Sequence, residues 1–209
     1  MNPSPQKDLV VLVADKDMEY AVRGILTRRP ALGIRPVTAD IFTHSERDPG
    51  CYLRSHTFLR SMLSEYSKAI VLFDHDGCGA EEKTREELEA EVEGKLAATG
   101  WKDRSRVIVL NPELEVWIWS DSPHVPEVLG WKSPASELPL RLKQEGYWRE
   151  GEAKPHAPKE AMEAALRTAR RPRSSSIYLQ LAEKVSLERC TDAAFVKLKN
   201  TLREWFSQQ

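Results

Sequence analysis

The sequence predicts an α/β protein: a mostly parallel four-stranded sheet flanked by helices, followed by an α-helical C-terminal part. Three short apolar runs carry this reading, Leu9 to Ala14, Ala69 to Phe73 and Arg106 to Leu110, and Ile34 to Thr43 reads as a further strand between the first two. Short apolar runs bounded by turn residues read as buried strands, and runs with little alternation suit strands covered on both faces of a parallel sheet. Stretches with helical spacing separate these runs, which calls for crossover connections. Beyond residue 125 no further strand is apparent, so residues 1–121 form the expected core and 122–209 a helical extension packed on it.

Residues 1–7 read as a flexible lead-in. After the first strand, Met18, Val22, Ile25, Leu26 and Arg29 share one helical face, with Asp17 placed as N-cap, Glu19 complementing the dipole and Pro30 ending the helix. Pro36 puts the second strand near an edge or its own start. His44 to Cys51 is loop by composition, and a helix carrying Leu59, Met62, Leu63 and Tyr66 follows. Glu81 to Ala98 reads as a helix with seven glutamates between Glu81 and Glu93, a pattern expected of a solvated face. Asn111 to Asp121 reads as a short helix with Pro112 in its first turn. Helices are expected near Pro134 to Glu145, Lys159 to Ala169, Ile177 to Val185 and Ala193 to Phe206. Their apolar stripes, such as Met162, Ala165, Leu166 and Ala169, are core packing.

With 209 residues and a formal net charge of −1, the chain has length for one domain or one and a half and no global field that marks a nucleic-acid binder. The three cysteines, Cys51, Cys78 and Cys190, support neither a disulfide framework nor a zinc site. That suits a reducing cytosol, so a cytoplasmic protein is expected, without a signal peptide or membrane association.

The chemistry concentrates where strands end. Asp15, Asp17 and Glu19 follow the first strand, Asp74 and Asp76 the third, Glu113 and Glu115 the fourth. In a parallel sheet these ends share one edge, and ligands bind past the carboxyl ends of strands. Carboxylates gathered there repel one another unless a cation neutralises them, and oxygen donors suit Mg²⁺ or Mn²⁺. The plainer alternative is a polar strand end with a Gly-rich turn, Asp74 capping the next helix and Glu115 pairing with an arginine. Trp117 and Trp119 have the shape to stack on bases, but burial is the commoner fate of such residues. His75 between the aspartates points to the other face of the strand.

Asp74-His75-Asp76 on an interior strand, with an acid ending the first strand, resembles the TOPRIM fold of topoisomerases, primases and old-family nucleases. Small TOPRIM-like proteins encoded with bacterial anti-phage defence genes are more similar still. Their strand-one, Asp-x-Asp-Gly and Glu-x-Trp motifs are met here by Val13 to Glu19, Asp74 to Gly77 and Glu115 to Trp117, with Pro158-Lys159 and Phe195 later in the chain. The strand-one glutamate is Asp15 here, and the glycine after it is Lys16. The resemblance implies Asp15, Glu19, Asp74 and Asp76 as catalytic residues, with Asp15, Asp74, Asp76 and Glu115 as ligands of Mg²⁺ or Mn²⁺. It implies a divalent-metal-dependent nuclease, or nuclease-like component, of anti-phage defence. The alternative is a catalytically inactive scaffold of a multi-protein defence complex, which the Asp15-Lys16 departures favour.

Phosphate contacts are expected from Lys16 and from Arg167, Arg170, Arg171 and Arg173, four arginines within seven residues beside Ser174 to Ser176. Cations at a helix C-terminus also complement its dipole, which accounts for part of that cluster without a ligand. A haloacid-dehalogenase-type phosphatase is disfavoured, because its Asp-x-Asp follows the first strand. An EF-hand fails for want of the remaining spaced ligands.

Overall fold

The structure, a computed structural model, describes residues 6–208. Most of the expected lead-in therefore lies outside the described residues, and Lys7 already belongs to a strand. The sheet has four parallel strands, β1 (Lys7–Val13), β2 (Ala39–Thr43), β3 (Tyr66–Asp74) and β4 (Ser105–Leu110), in the order β2-β1-β3-β4. β1 and β3 are the inner strands, and their apolar runs from Leu9 to Val13 and Ala69 to Phe73 are almost wholly buried.

α1 (Lys16–Thr27) links β1 to β2, α3 (Arg47–Leu59) links β2 to β3, and α4 (Arg85–Leu96) links β3 to β4, with a short α2 (Arg29–Leu32) after α1. Right-handed crossovers place α1 on one face and α3 with α4 on the other. The C-terminal helices are α5 (His124–Leu129), α6 (Glu137–Gln144), α7 (Pro158–Ala169), α8 (Ser175–Lys184) and α9 (Ala193–Phe206). α8 lies against α1, and α9 against β4, so this part buries the sheet's second face. Gly24 makes the first packing possible: a Cβ there would lie 2.7 Å from the Ala182 methyl. Among the described residues no helix is long and apolar enough to cross a membrane.

Several local expectations need correction. Asp15, not Asp17, caps α1, accepting the Met18 N–H at 3.0 Å. β2 is shorter than Ile34 to Thr43, because Pro36 has no N–H and the Asp8 carboxylate binds Arg35 and Thr38 instead. The loop expected at His44 to Cys51 is helical from Arg47, since Pro49 falls in the first turn, where it needs no N–H partner. Tyr66 opens β3 rather than closing a helix, with its hydroxyl on Asp40 at 2.6 Å. Glu113 is extended after a cis Asn111–Pro112 bond, leaving only a 3₁₀ turn, Leu114–Trp117, of the helix expected at Asn111 to Asp121.

The glutamates of α4 are not all solvated. β4 is an edge strand, and parallel edges present unpaired N–H groups. Glu89, buried, accepts the Val109 N–H at 3.1 Å, and Glu93 accepts the Val107 N–H at 2.9 Å. Lys197 from α9 binds both carboxylates, at 2.9 and 3.4 Å.

Candidate functional site

The order of the strands fixes the place of the site. The chain runs from β1 outward to β2, then crosses back to β3 and on to β4, so the switch point lies between β1 and β3. The crevice outside the strand ends at such a point is where open α/β sheets bind ligands. Val13 is level with Leu72 in the β1–β3 register. Two residues further on stand Asp15 and Asp74.

Asp74 ends β3 with its backbone N–H donated to Asp48 Oδ1 at 2.8 Å. It keeps some exposure at the rim, but its Oδ1 is closed off from solvent and has no hydrogen-bond partner among the described residues. Burial raises its proton affinity well above the usual carboxylate range, and the carboxylates of Asp48, Glu115, Asp15 and Glu113 raise it further. Asp48 is pushed the same way by burial and by Asp15, against the N–H it accepts from Asp74. Burial, then Glu115, pushes Glu113 up to about 7, with Lys159 opposing. Glu113 accepts the Lys159 N–H at the start of α7 (3.1 Å) and lies 3.6 Å from Lys159 Nζ.

Five acids from four segments thus feel one another around Asp74. Asp48 was not anticipated: its Asp-Pro-Gly setting reads as loop, and only the crossover from β2 carries it to the end of β3.

The other expected site residues are placed as follows. Glu115 is buried and already held, by the Tyr178 hydroxyl at 2.6 Å and Arg173 at 2.8 Å, so the plainer reading of an arginine-paired glutamate is correct and it is not a free metal ligand. Asp76 faces outward, 62% exposed and 3.5 Å from His75 Nδ1, so the Asp-x-Asp pair does not converge. Its backbone N–H donates to Pro112 O at 3.0 Å, and His75 turns away to the Lys83 carbonyl. Glu19 is tied to Arg23 one turn along α1, at 2.7 Å, outside the acid group. As the side chains stand, among the described residues no group of three or more His, Cys, Asp and Glu is arranged to hold a metal ion.

The arginine cluster is divided. Arg167 and Arg170 are exposed, Arg170 in the left-handed conformation that ends α7. Arg171 turns inward to the Val128 carbonyl and Gln180, and so does not join a phosphate-binding surface. Arg173 reaches across to Asp17 (3.0 Å), Glu115 (2.8 Å) and Glu163 (3.2 Å). Burial works against its charge, but Tyr178, Glu115 and Asp17 outweigh that and hold it firmly protonated. Its role is therefore that of a fixed counter-charge and not of a free phosphate contact. Lys16 remains exposed at the start of α1. Trp117 and Trp119 are core residues, with indole N–H groups on Asp192 (2.8 Å) and Pro158 O (2.9 Å), and Trp117 meets Phe195 edge-on.

The crevice thus joins acids that lack enough counter-charge to two cations, Arg173 and Lys159, that the helical part brings in from outside the sheet. Comparison with known protein families, curated proteins and solved structures finds no match to this chain.

Proposed function

We propose that the chain is a TOPRIM-like, divalent-cation-dependent hydrolase of nucleic-acid phosphodiesters, a nuclease or nuclease-like component of bacterial anti-phage defence. One observation carries the chemistry: Asp74 has a buried oxygen without a partner, among carboxylates that raise its proton affinity. A cation relieves that repulsion, and oxygen donors of this kind suit Mg²⁺ or Mn²⁺. Asp15, Asp48 and Asp74 are the residues that would hold it, since Arg173 already neutralises Glu115. A bound divalent cation supplies Lewis-acid charge and a more acidic water. The chain's own groups supply the rest. The Asp48 bond to the Asp74 N–H fixes the end of β3. Glu113, raised to about 7, is suited to take or return a proton near neutral pH. Arg173 and Lys159 place positive charge beside the acids. The anti-phage setting, and the partner proteins it brings, rest on the resemblance alone.

The test is cleavage of labelled single- and double-stranded DNA and RNA with Mn²⁺ against EDTA. Cleavage with Mn²⁺ that disappears in Asp74→Asn supports the proposal. A folded wild-type protein that cuts none of them contradicts it. One observation favours the scaffold reading: Arg173 already occupies the side of the crevice where Glu115 and Asp17 lie. A scaffold would give no cleavage and no heat with Mn²⁺.

A further inference from the structure

Next to the acids lies a second, open cleft of about 320 Å³, lined by Asp15, Lys16, Asp17, Thr43, His44 and Arg47, among others. It sits past the ends of β1 and β2, where α1 and α3 begin. Lys16 and Arg47 are both exposed, and among the described residues neither side chain has an ion pair or hydrogen bond. Every other cation of the crevice, by contrast, is committed to an acid.

His44 gives the cleft a fixed donor. It is only 8% exposed and follows β2, with its backbone N–H on Val13 O at 2.8 Å. Nδ1 accepts the Glu46 N–H at 3.1 Å, so the neutral ring carries its proton on Nε2. Nε2 has no partner among the described residues. The Nδ1–Cε1 edge lies against Gly50, where a Cβ would fall 2.0 Å from Nδ1, so only glycine at this position of α3 admits the ring. Thr43 and Ser45 add exposed hydroxyls.

A nearly buried imidazole N–H, two uncommitted cations and hydroxyls form an oxyanion-binding set. We propose that this cleft is a phosphate subsite, in which Lys16, Arg47 and His44 Nε2–H hold the backbone phosphate adjacent to the one over Asp15 and Asp74. The assignment of that phosphate to a nucleic acid rests on the hydrolase reading above. The Asp15 and Asp17 carboxylates bordering the cleft set its limit on that side, and the phosphate takes the side of Lys16 and Arg47.

The test is calorimetric titration of the full chain with inorganic pyrophosphate in EDTA at low salt, with the His44 ring nitrogens followed by NMR. Lys16→Ala/Arg47→Gly is the decisive variant. Arg47 sits at φ 52°, a conformation glycine adopts freely, and neither side chain supports the fold. Wild type should bind and shift the Nε2 resonance, and the double variant should bind about a hundredfold more weakly, roughly tenfold for each charged bond lost. Arg167→Ala/Arg170→Ala should bind as wild type. No binding by wild type, or equal binding by the double variant, overturns the subsite. A parallel Mn²⁺ titration separates the two proposals. Mn²⁺ binding without pyrophosphate binding overturns the subsite alone. Pyrophosphate binding without Mn²⁺ binding overturns the hydrolase reading and leaves an oxyanion site.

Discussion

The Asp74 N–H donates to the Asp48 carboxylate across 2.8 Å, so one acid both anchors the end of β3 and raises the proton affinity of its neighbour. The backbone bond is worth keeping; the Asp74 charge beside it is not, unless a cation is present. Asp74→Asn keeps the shape and removes the repulsion. In EDTA at pH 8 it should stabilise the protein by about 1–3 kcal/mol, read as a higher urea midpoint at unchanged slope. Asp48→Ala should destabilise, because it leaves the Asp74 N–H without an acceptor. A destabilised Asp74→Asn would mean that the carboxylate is satisfied in the metal-free protein.

Glu113 makes stability depend on pH. Its folded value is about 7, against an ordinary 4.5, so between those limits the native state binds more protons than the unfolded chain. Stability therefore falls as pH rises through this window, and Asp74, raised in the same direction, adds to the fall. The Glu113 share is at most about 3 kcal/mol for a shift of this size. Thermal unfolding in EDTA at a series of pH values should show the decline, and Glu113→Gln should flatten it. A decline unchanged in Glu113→Gln would assign it elsewhere.

Arg173 stands between the helical part and the acids. Arg173→Met leaves Glu115 buried with Tyr178 as its remaining partner and should cost about 3 kcal/mol. Adding Glu115→Gln should restore much of the loss. Arg167→Ala, on an exposed side chain, should change stability by no more than about 0.5 kcal/mol. Urea unfolding of the three variants decides this, and an Arg173→Met protein as stable as wild type would remove the ion pair from the account.

On the edge strand β4, Glu89→Ala strips the acceptor from the buried Val109 N–H and one partner from Lys197. A loss of about 2–3 kcal/mol is expected, with faster amide exchange at Val109. Glu86→Ala, on the exposed side of the same helix, should be neutral. Equal effects of the two would contradict an edge-capping role.

What the sequence made legible follows from local rules. Apolar runs stopped by acids mark β1, β3 and β4, and the stripe Phe195, Leu198, Leu202, Phe206 gives α9 its full extent. The parallel arrangement then follows, and with it the meeting of Asp15 and Asp74 at one edge. What stayed hidden depends on distant partners. Asp48 becomes a site residue because α3 starts at Arg47, ahead of Pro49, where an Asp-Pro-Gly run reads as loop. Glu115 finds Arg173 across 58 positions. Glu89 and Glu93 are drawn inward by an edge strand that helical periodicity does not register. Asp76, two residues after Asp74, turns outward because its backbone continues along the Pro112 segment.

Asp15, Asp48 and Asp74 are proposed to share one divalent cation. Calorimetric titration of the metal-free protein with Mn²⁺ reads this sharing. Wild type should bind near one equivalent, with protons released as the carboxylates lose them, and Asp48→Asn/Asp74→Asn should give no heat, while Asp76→Asn and Glu19→Gln bind as wild type. Absence of heat with folded wild-type protein, or undiminished heat in the double variant, would contradict it.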